Sequence, residues 1–253
     1  MTASAPSFRL DGRRALVVGA SRGIGRAVAE AMAASGADVT LCARTADEIE
    51  AIADALRHQG FRAEALVTDV TDTQHFAETV AALPAFDILV NNAGTNRPLP
   101  LAQTCEEDYD AVMALNLRAA VFATKAVTAR MLAESRPGTV INMSSQMGHV
   151  GAANRTIYCA SKWALEGFTK ALAVELAPAG IRVNTICPTF VETPMTKPFL
   201  ENPDFRDEVL AKIPLGRLGK VDEIAAAAVY LASDAAGLMT GSALKLDGGW
   251  TAL

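Results

Sequence analysis

Two patterns of apolar and polar positions alternate along the chain. Short apolar runs rich in β-branched residues, such as residues 15–18, recur between longer segments that are rich in Ala, Leu, Glu and Lys. The short runs indicate buried strands, and the longer segments indicate helices. The predicted strands lie near residues 14–18, 37–42, 63–67, 86–90, 138–143, 181–187 and 243–246. The predicted helices lie near residues 23–35, 46–59, 73–82, 106–134, 152–177 and 221–232.

Strands that alternate with helices predict an α/β fold, with a single doubly wound parallel sheet of Rossmann type and helices on both faces. The chain has 253 residues, of which 51% are hydrophobic, enough for one large core. We see no linker, low-complexity tract or internal repeat. We therefore expect one domain over residues 1–253, with ligands bound beyond the carboxyl ends of the strands.

Charge and composition narrow the function classes. A net charge of −5 and a pI near 5.3 disfavour nucleic acid as a partner. Residues 1–9 lack a basic segment followed by an apolar one, so no signal peptide is expected. No apolar run approaches the roughly 18 residues of a membrane span. The four cysteines lack metal-binding spacing, which favours buried, reduced thiols in a cytoplasmic protein without a metal site.

Tyr158 and Lys162 are the strongest candidates for the chemistry. They stand four residues apart in a predicted helix, so their side chains share one face. A free tyrosine has a pKa of about 10. A neighbouring ammonium favours the phenolate, so Lys162 is expected to lower the pKa of Tyr158 toward the range of an acid/base catalyst. The same spacing occurs by chance in many helices, so the pair needs support from other residues.

That support lies at the ends of predicted strands. Gly19, Gly23 and Gly25 follow the first strand and open a helix. Absent Cβ atoms there let a diphosphate approach the backbone N–H groups of the helix N-terminus. Ser145 follows the strand near 138–143, and the segment Asn91-Asn-Ala-Gly94 ends the strand before it.

With these motifs the chain resembles the short-chain dehydrogenase/reductase family. The matching features run in the family's order, from the glycine turn through Asp69, Asn91 to Gly94, Asn116, Ser145, Tyr158 with Lys162, and Pro188 to Thr193. The resemblance implies hydride transfer between a nicotinamide cofactor and a secondary alcohol or ketone. It implies the catalytic set Asn116, Ser145, Tyr158 and Lys162. In the family, the tyrosine is the acid or base, the lysine lowers its pKa and holds the nicotinamide ribose, the serine binds the substrate oxygen, and the asparagine helps to hold a water.

The second strand indicates which cofactor binds. It ends at Ala43, where an acidic residue would accept hydrogen bonds from the ribose hydroxyls of NAD. Arg44 follows and Arg22 lies in the glycine turn, and a guanidinium suits the 2′-phosphate of NADP. NADP is therefore expected, with NAD as the alternative, although both arginines could be solvated surface residues.

Asp69 is expected near the adenine, or as a helix N-cap, or both. The residues expected to bind the cofactor are Gly19, Ser21, Arg22, Gly23, Ile24, Gly25, Arg44, Asp69, Val70, Asn92, Ala93, Gly94, Tyr158, Lys162, Pro188, Val191 and Thr193.

Two positions depart from the family's pattern. Val18 stands where many members have Thr, and Thr189 stands where a Gly usually follows the proline. A backbone φ above zero is therefore not expected at residue 189.

The substrate is the least defined part of the site. Asn96, Gln146 and Arg155 are expected near the carbonyl, and the resemblance implies a mobile substrate loop near 193–212. Amides and arginines beside Met and Phe favour a small polar substrate such as a sugar acid or keto acid. A 3-oxoacyl thioester reductase and a non-catalytic NADP-binding sensor or scaffold are the alternatives. Apolar residues on several faces of the two long helices, together with the family's habit, predict a homotetramer.

Overall fold

One parallel sheet organises the part of the chain that the computed structural model describes, residues 7–252. Its seven strands run in the order β3-β2-β1-β4-β5-β6-β7, which confirms the predicted fold class. The signal-peptide prediction for residues 1–9 falls mostly outside the described residues. The strands are β1 Arg14–Val18, β2 Asp38–Ala43, β3 Ala63–Val67, β4 Ile88–Asn91, β5 Gly138–Met143, β6 Ile181–Pro188 and β7 Ala243–Leu246.

Helices cover both faces of the sheet, as the doubly wound pattern requires. On one face, Val28 of α1 and Ile224 of α9 join a cluster with Val17 of β1. On the other face, Val127 of α5 packs in a cluster with Leu16 of β1. The helices are α1 Gly23–Ala34, α2 Ala46–His58, α3 Thr73–Ala81, α4 Glu106–Met113, α5 Ala119–Ala133, α6 Thr156–Leu176, α7 Lys197–Leu200, α8 Pro203–Ala211 and α9 Val221–Ala232.

The central strands deliver the candidate residues to one edge of the sheet. In register, Val18 of β1 pairs with Asn91 of β4, and Asn91 pairs with Asn142 of β5. The Asn91 side-chain amide donates to Asn142 Oδ1 and to Thr124 Oγ1, each at 2.8 Å. These bonds between neighbouring elements align the strand ends that lead to the glycine turn, to Gly94 and to Ser145.

The long helix predicted over 106–134 is interrupted. A π-helical segment, Ala114–Arg118, separates α4 from α5 and contains Asn116. By length and hydropathy, Glu106–Ala133 is long and apolar enough to cross a membrane, which the prediction from apolar runs did not anticipate. Such helices also occur in the cores of soluble proteins, and here Ala119, Val127 and Met131 are buried against the sheet.

Two further segments differ from the prediction. Helix α6 begins at Thr156 and not near 152, because Asn154 adopts a left-handed backbone with φ of 58° that a helix cannot contain. The predicted loop near 193–212 contains α7 and α8, which pack through Leu200 and Val209 in a small apolar cluster. Among the described non-glycine residues only Ser135 and Asn154 have positive φ, so Thr189 needs no glycine-like backbone, as predicted.

The prediction that the cysteines are buried is confirmed at three positions of four. Cys42, Cys159 and Cys187 are buried free thiols, whereas Cys105 is exposed and the prediction that it is buried was wrong. Cys105 precedes α4 as its N-cap residue, where its backbone N–H and its sulfur both lie near Asp108 Oδ2. A position at the start of a surface helix is not part of the apolar pattern that marks the core.

Candidate active site

The glycine turn is built by close backbone packing. Gly19 has φ of 80°, and a Cβ atom there would lie 2.8 Å from the Cα of Ala93. A side chain at Gly25 would collide with the Gly19 carbonyl oxygen and with the amide of Asn92. That amide donates to the Gly19 carbonyl at 2.9 Å, which ties the turn to the end of β4. The turn leads into α1, whose N-terminus favours an anionic group.

A cavity of about 520 Å³ extends from this turn to Tyr158 and Lys162. Every residue predicted to bind the cofactor lines it except Gly25, which shapes the turn from behind. Ser145 also lines it. Thr95, Ser144, Met195 and Thr196 also line the cavity, and each lies within three residues of a residue predicted for the site. Leu115 lines it too and directly precedes the predicted Asn116, whereas Glu48, from α2, was marked by no motif.

The two arginines lie at the end of the cavity away from Tyr158. Both Arg22 and Arg44 line it and are exposed, and Ala43 lies beside them. Arg44 Nη1 is 3.7 Å from Asp69 Oδ2, but its side chain keeps 74% of its surface exposed. An ion pair so exposed contributes little free energy, so the guanidinium is available to a ligand. The N-cap of α3 is Asp72, which accepts from the His75 N–H, so the reading of Asp69 as the cap was wrong.

Asp69 instead stabilises its own turn. Its Oδ1 accepts from the Thr71 N–H at 2.9 Å and from the Thr71 hydroxyl at 2.7 Å. Partial burial disfavours the ionised carboxylate and so raises its pKa. The hydrogen bonds from Thr71 have the opposite and larger effect, so the pKa of Asp69 is lowered. The group therefore presents a fixed negative acceptor to the cavity.

Ser145, Tyr158 and Lys162 meet at the inner end of the cavity. The Ser145 hydroxyl donates to Gln146 Oε1 at 2.7 Å and accepts from the Met147 N–H at 3.1 Å. Lys162 Nζ donates to the Met143 carbonyl at 2.8 Å, so the last residue of β5 holds the ammonium. The same Nζ lies 5.6 Å from the centroid of the Tyr158 ring.

Burial dominates the protonation of this pair. It raises the pKa of Tyr158 to about 12, although the nearby Ser145 hydroxyl favours the phenolate. Burial lowers the pKa of Lys162 to about 8. The prediction that Lys162 lowers the pKa of Tyr158 below its usual value was therefore wrong for the protein alone. The reason is physical: the low-dielectric surroundings penalise the charged form of each group more than its neighbours stabilise it.

Asn116 lies behind the cavity rather than in its wall. Its Oδ1 accepts from the Thr95 N–H at 2.8 Å, and its Nδ2 donates to the Thr95 carbonyl and to Ser161 Oγ, each at 3.0 Å. The π-helical turn directs this amide between the segment after β4 and helix α6. It therefore holds together two of the elements that border the site.

None of the three predicted substrate residues lines the cavity. Gln146 is buried as the partner of Ser145, and Asn96 has a buried Oδ1 without a hydrogen-bond partner among residues 7–252. Arg155 is buried three residues before Tyr158, with its guanidinium 5.8 Å from the ring centroid of Phe199 and 5.5 Å from that of Phe205. Helices α7 and α8 supply these two rings and so cover Arg155.

Known proteins resemble the chain over nearly its whole length. The family described as enoyl-(acyl carrier protein) reductase matches residues 19–251. D-threitol dehydrogenase of Mycolicibacterium smegmatis is 43% identical, over 96% of this chain and 95% of its own. The 3-oxoacyl-[acyl-carrier-protein] reductase of Escherichia coli is 41% identical, over 96% and 98%. The crystal structure of a gluconate 5-dehydrogenase from Burkholderia cenocepacia, in complex with NADP and tartrate, has a TM-score of 0.94 and 35% identity and covers 98% of each chain.

Proposed function

The chain belongs to the short-chain dehydrogenase/reductase family, and we propose that it interconverts a secondary alcohol and a ketone on a small polyhydroxylated acid, with NADP as its cofactor. The observation that carries this proposal is the meeting of Ser145, Tyr158 and Lys162 at one end of a cavity whose other end has a glycine turn and two exposed arginines. A phenol, a hydroxyl and an ammonium at one wall can exchange a proton with a substrate oxygen. NADP, when bound, supplies or accepts the hydride.

Each polar group of the site has a proposed task. Tyr158 gives its proton to the substrate oxygen in reduction and removes it in oxidation, and its pKa of about 12 keeps the proton in place at neutral pH. The Ser145 hydroxyl orients the same oxygen. Lys162, held by the Met143 carbonyl, favours the phenolate once the proton has moved. Asn116 positions this wall from behind, and the water assigned to it by the family resemblance stays a prediction.

NADP fits the residues present. The turn at Gly19 and Gly25 has no room for side chains, so backbone N–H groups at the start of α1 are open to a diphosphate. Arg22 and Arg44 offer guanidinium groups to a 2′-phosphate, and Ala43 lacks the carboxylate that would repel it. NADP is bound in the similar gluconate 5-dehydrogenase structure.

Arg155 supports an acidic substrate. Among the described residues its guanidinium has no hydrogen bond or ion pair, although it is only 8% exposed and burial lowers its pKa. Glu208 attracts the guanidinium without forming an ion pair with it. A buried cation without a bonded anion is costly, and a substrate carboxylate would compensate it. Since Phe199 and Phe205 now cover the group, we propose that α7 and α8 shift when substrate enters. Tartrate, a hydroxy diacid, is bound in the similar gluconate 5-dehydrogenase.

A 3-oxoacyl thioester reductase is the second candidate, favoured by the 41% identity to the bacterial enzyme. Carrier-protein reductases often have a basic residue where this chain has Val174, which is 79% exposed and apolar, so the surface here is less suited to an acidic carrier protein. A non-catalytic NADP sensor would not need Ser145, Tyr158 and Lys162 together.

We also propose that the protein forms a homotetramer. A cytoplasmic location stays a prediction.

Initial-rate assays with purified protein test the proposal. The substrates are aldonic acids, the matching alditols, in which CH2OH replaces the carboxylate, and 3-oxoacyl thioesters. Each is assayed with NADP(H) and with NAD(H). We expect the highest kcat/KM for an aldonic acid with NADP. Faster turnover of a thioester would favour the second candidate. Binding of NADPH without turnover of any class would favour the sensor.

A further inference from the structure

Three side chains that the proposed reaction does not use converge behind the active site. His149 follows the short turn after Ser145, Glu166 lies one helical turn beyond Lys162, and Cys187 directly precedes Pro188. His149 Nε2 is 3.3 Å from Cys187 Sγ and 3.7 Å from Glu166 Oε1. Cys187 Sγ is 3.3 Å from the same carboxylate oxygen. One nitrogen, one sulfur and one oxygen thus form a compact triangle.

The size of this triangle suits a tetrahedral ion. Zinc binds His nitrogen, carboxylate oxygen and Cys sulfur at about 2.0–2.3 Å, which places neighbouring ligand atoms roughly 3.3–3.5 Å apart. The three observed separations, 3.3, 3.3 and 3.7 Å, are close to that range. A thiolate, an imidazole and a carboxylate are also the ligand types that borderline-soft Zn²⁺ accepts.

Charge and hydrogen bonding supply independent support. Glu166 is only 4% exposed. Lys162 attracts it, but among the described residues no lysine or arginine forms an ion pair with it. A cation at the triangle would compensate the buried carboxylate. The Ser144 hydroxyl, 4% exposed, forms no hydrogen bond with a described residue, and it lies near the Cys187 thiol. Ser144 is therefore available for the fourth position of an ion, directly or through a water.

We propose that His149, Glu166 and Cys187 bind one Zn²⁺ ion per chain. On binding, the Cys187 S–H bond breaks, a Zn–S bond forms and the proton passes to solvent, with no change of oxidation state. Burial raises the pKa of the free Cys187 thiol to about 12, and direct coordination reverses that preference. The ion would join the turn after Ser145, helix α6 and strand β6, which carry Ser145, Lys162 and Pro188. Its role is to stabilise the active-site wall, since His149, Glu166 and Cys187 do not line the cavity, whereas Ser144 does.

The alternative is a metal-free hydrogen-bonded cluster. Thr185 Oγ1 donates to Glu166 Oε2 at 3.0 Å, and the Cys187 thiol can donate to Oε1. Lys170, Lys245 and Asp247 also influence the charge of His149, whose pKa burial lowers. A neutral imidazole is the form that binds a metal and also the form that completes such a cluster. Metal content distinguishes the two.

The test uses the full-length protein, stripped with a chelator and then dialysed against Zn²⁺ or Co²⁺. We expect about one zinc per chain by mass spectrometry, and a sulfur-to-cobalt charge-transfer absorption with Co²⁺. Cys187→Ser should bind zinc at least about tenfold more weakly, because loss of even an outer partner of a metal ligand costs that much. Cys105→Ser, which removes the exposed thiol, should bind zinc like the wild type.

Wild-type protein without bound zinc, or zinc binding that Cys187→Ser leaves unchanged, would overturn the proposal. If Cys187→Ser does not fold, as judged by circular dichroism, the wild-type cobalt spectrum and His149→Gln decide the question. His149 is partly exposed, so its replacement by Gln leaves the core packed. Absence of the charge-transfer absorption, or unchanged zinc affinity in His149→Gln, would then overturn it.

Discussion

At the residue scale, the site places a buried amine beside a buried phenol. Lys162 is 5% exposed, and its only hydrogen bond to a described residue goes to the Met143 carbonyl. Keeping an ammonium there costs folding free energy, which the pKa of about 8 reflects. The proposed reaction needs this cation, so the cost is of a kind that active sites retain.

Replacement of Lys162 by Met should therefore stabilise the protein alone at neutral pH. The folded-state pKa lies below the ordinary 10.5, so the unfolded chain binds more protons between pH 8 and pH 10.5, and wild-type stability rises with pH across that window. Below pH 8 the variant should gain up to about 3 kcal/mol. Denaturant unfolding at pH 7 and at pH 10 checks this. A gain that is equal at both pH values, or a loss at pH 7, would contradict it.

Cofactor choice is also set by single residues. Ala43→Asp should reduce kcat/KM for NADP and raise it for NAD, because a carboxylate there accepts from ribose hydroxyls and repels a 2′-phosphate. Steady-state kinetics with both cofactors measure the change. A wild-type enzyme that already prefers NAD would refute the role of Arg22 and Arg44.

The cofactor-binding part of the cavity lining could largely be predicted, because motif residues follow strands whose ends meet at one sheet edge. The substrate side could not be predicted. Arg155 and Gln146 are close in sequence to catalytic candidates, yet the first lies under Phe199 and Phe205 and the second is bonded to Ser145. Such coverage depends on tertiary packing of α7 and α8. Sequence proximity to Tyr158 does not reveal it.

At the element scale, the break between α4 and α5 defines the position of Asn116. A continuous helix was predicted over 106–134 because the apolar periodicity barely changes there. The π-helical segment inserts one extra residue per turn, and such bulges are frequent at functional sites. The amide then makes three hydrogen bonds, to Thr95 and Ser161. No periodicity in the sequence distinguishes this turn from an α-helical one.

Asn116→Leu should destabilise the protein by about 2–4 kcal/mol, because it leaves the partly buried backbone of Thr95 and the buried hydroxyl of Ser161 without this partner. A matched control is Asn202→Ala, which removes the exposed cap of α8 and should cost about 1 kcal/mol. Chemical denaturation of both variants gives the comparison. A smaller loss for Asn116→Leu than for Asn202→Ala would contradict this account.

At the scale of the whole molecule, the two long helices leave apolar side chains uncovered. Phe122 of α5 is 39% exposed, and Trp163 and Val174 of α6 are 53% and 79% exposed. Exposed apolar side chains of this size are of the kind that a second subunit covers. The fold class was predictable at this scale, since alternation of strands and helices decides it. Assembly was not, because an exposed apolar stripe does not specify its partner.

Light scattering at micromolar concentration should give about four times the chain mass of 26.5 kDa. Val174→Glu places a charge on the outer side of α6 and should lower this mass. Val67→Glu, in the edge strand β3, should leave the measured mass unchanged. A wild-type mass of one chain would rule out the tetramer.

The most direct test of the central claim is the turnover of Tyr158→Phe, measured beside its affinity for NADPH. The substitution removes the proton-transferring hydroxyl and keeps the ring, so kcat should fall by about 10²- to 10⁴-fold. Fluorescence titration should show nearly unchanged NADPH binding, because the glycine turn and the arginines remain. A variant that keeps more than about a tenth of wild-type kcat would show that Tyr158 is not the acid/base.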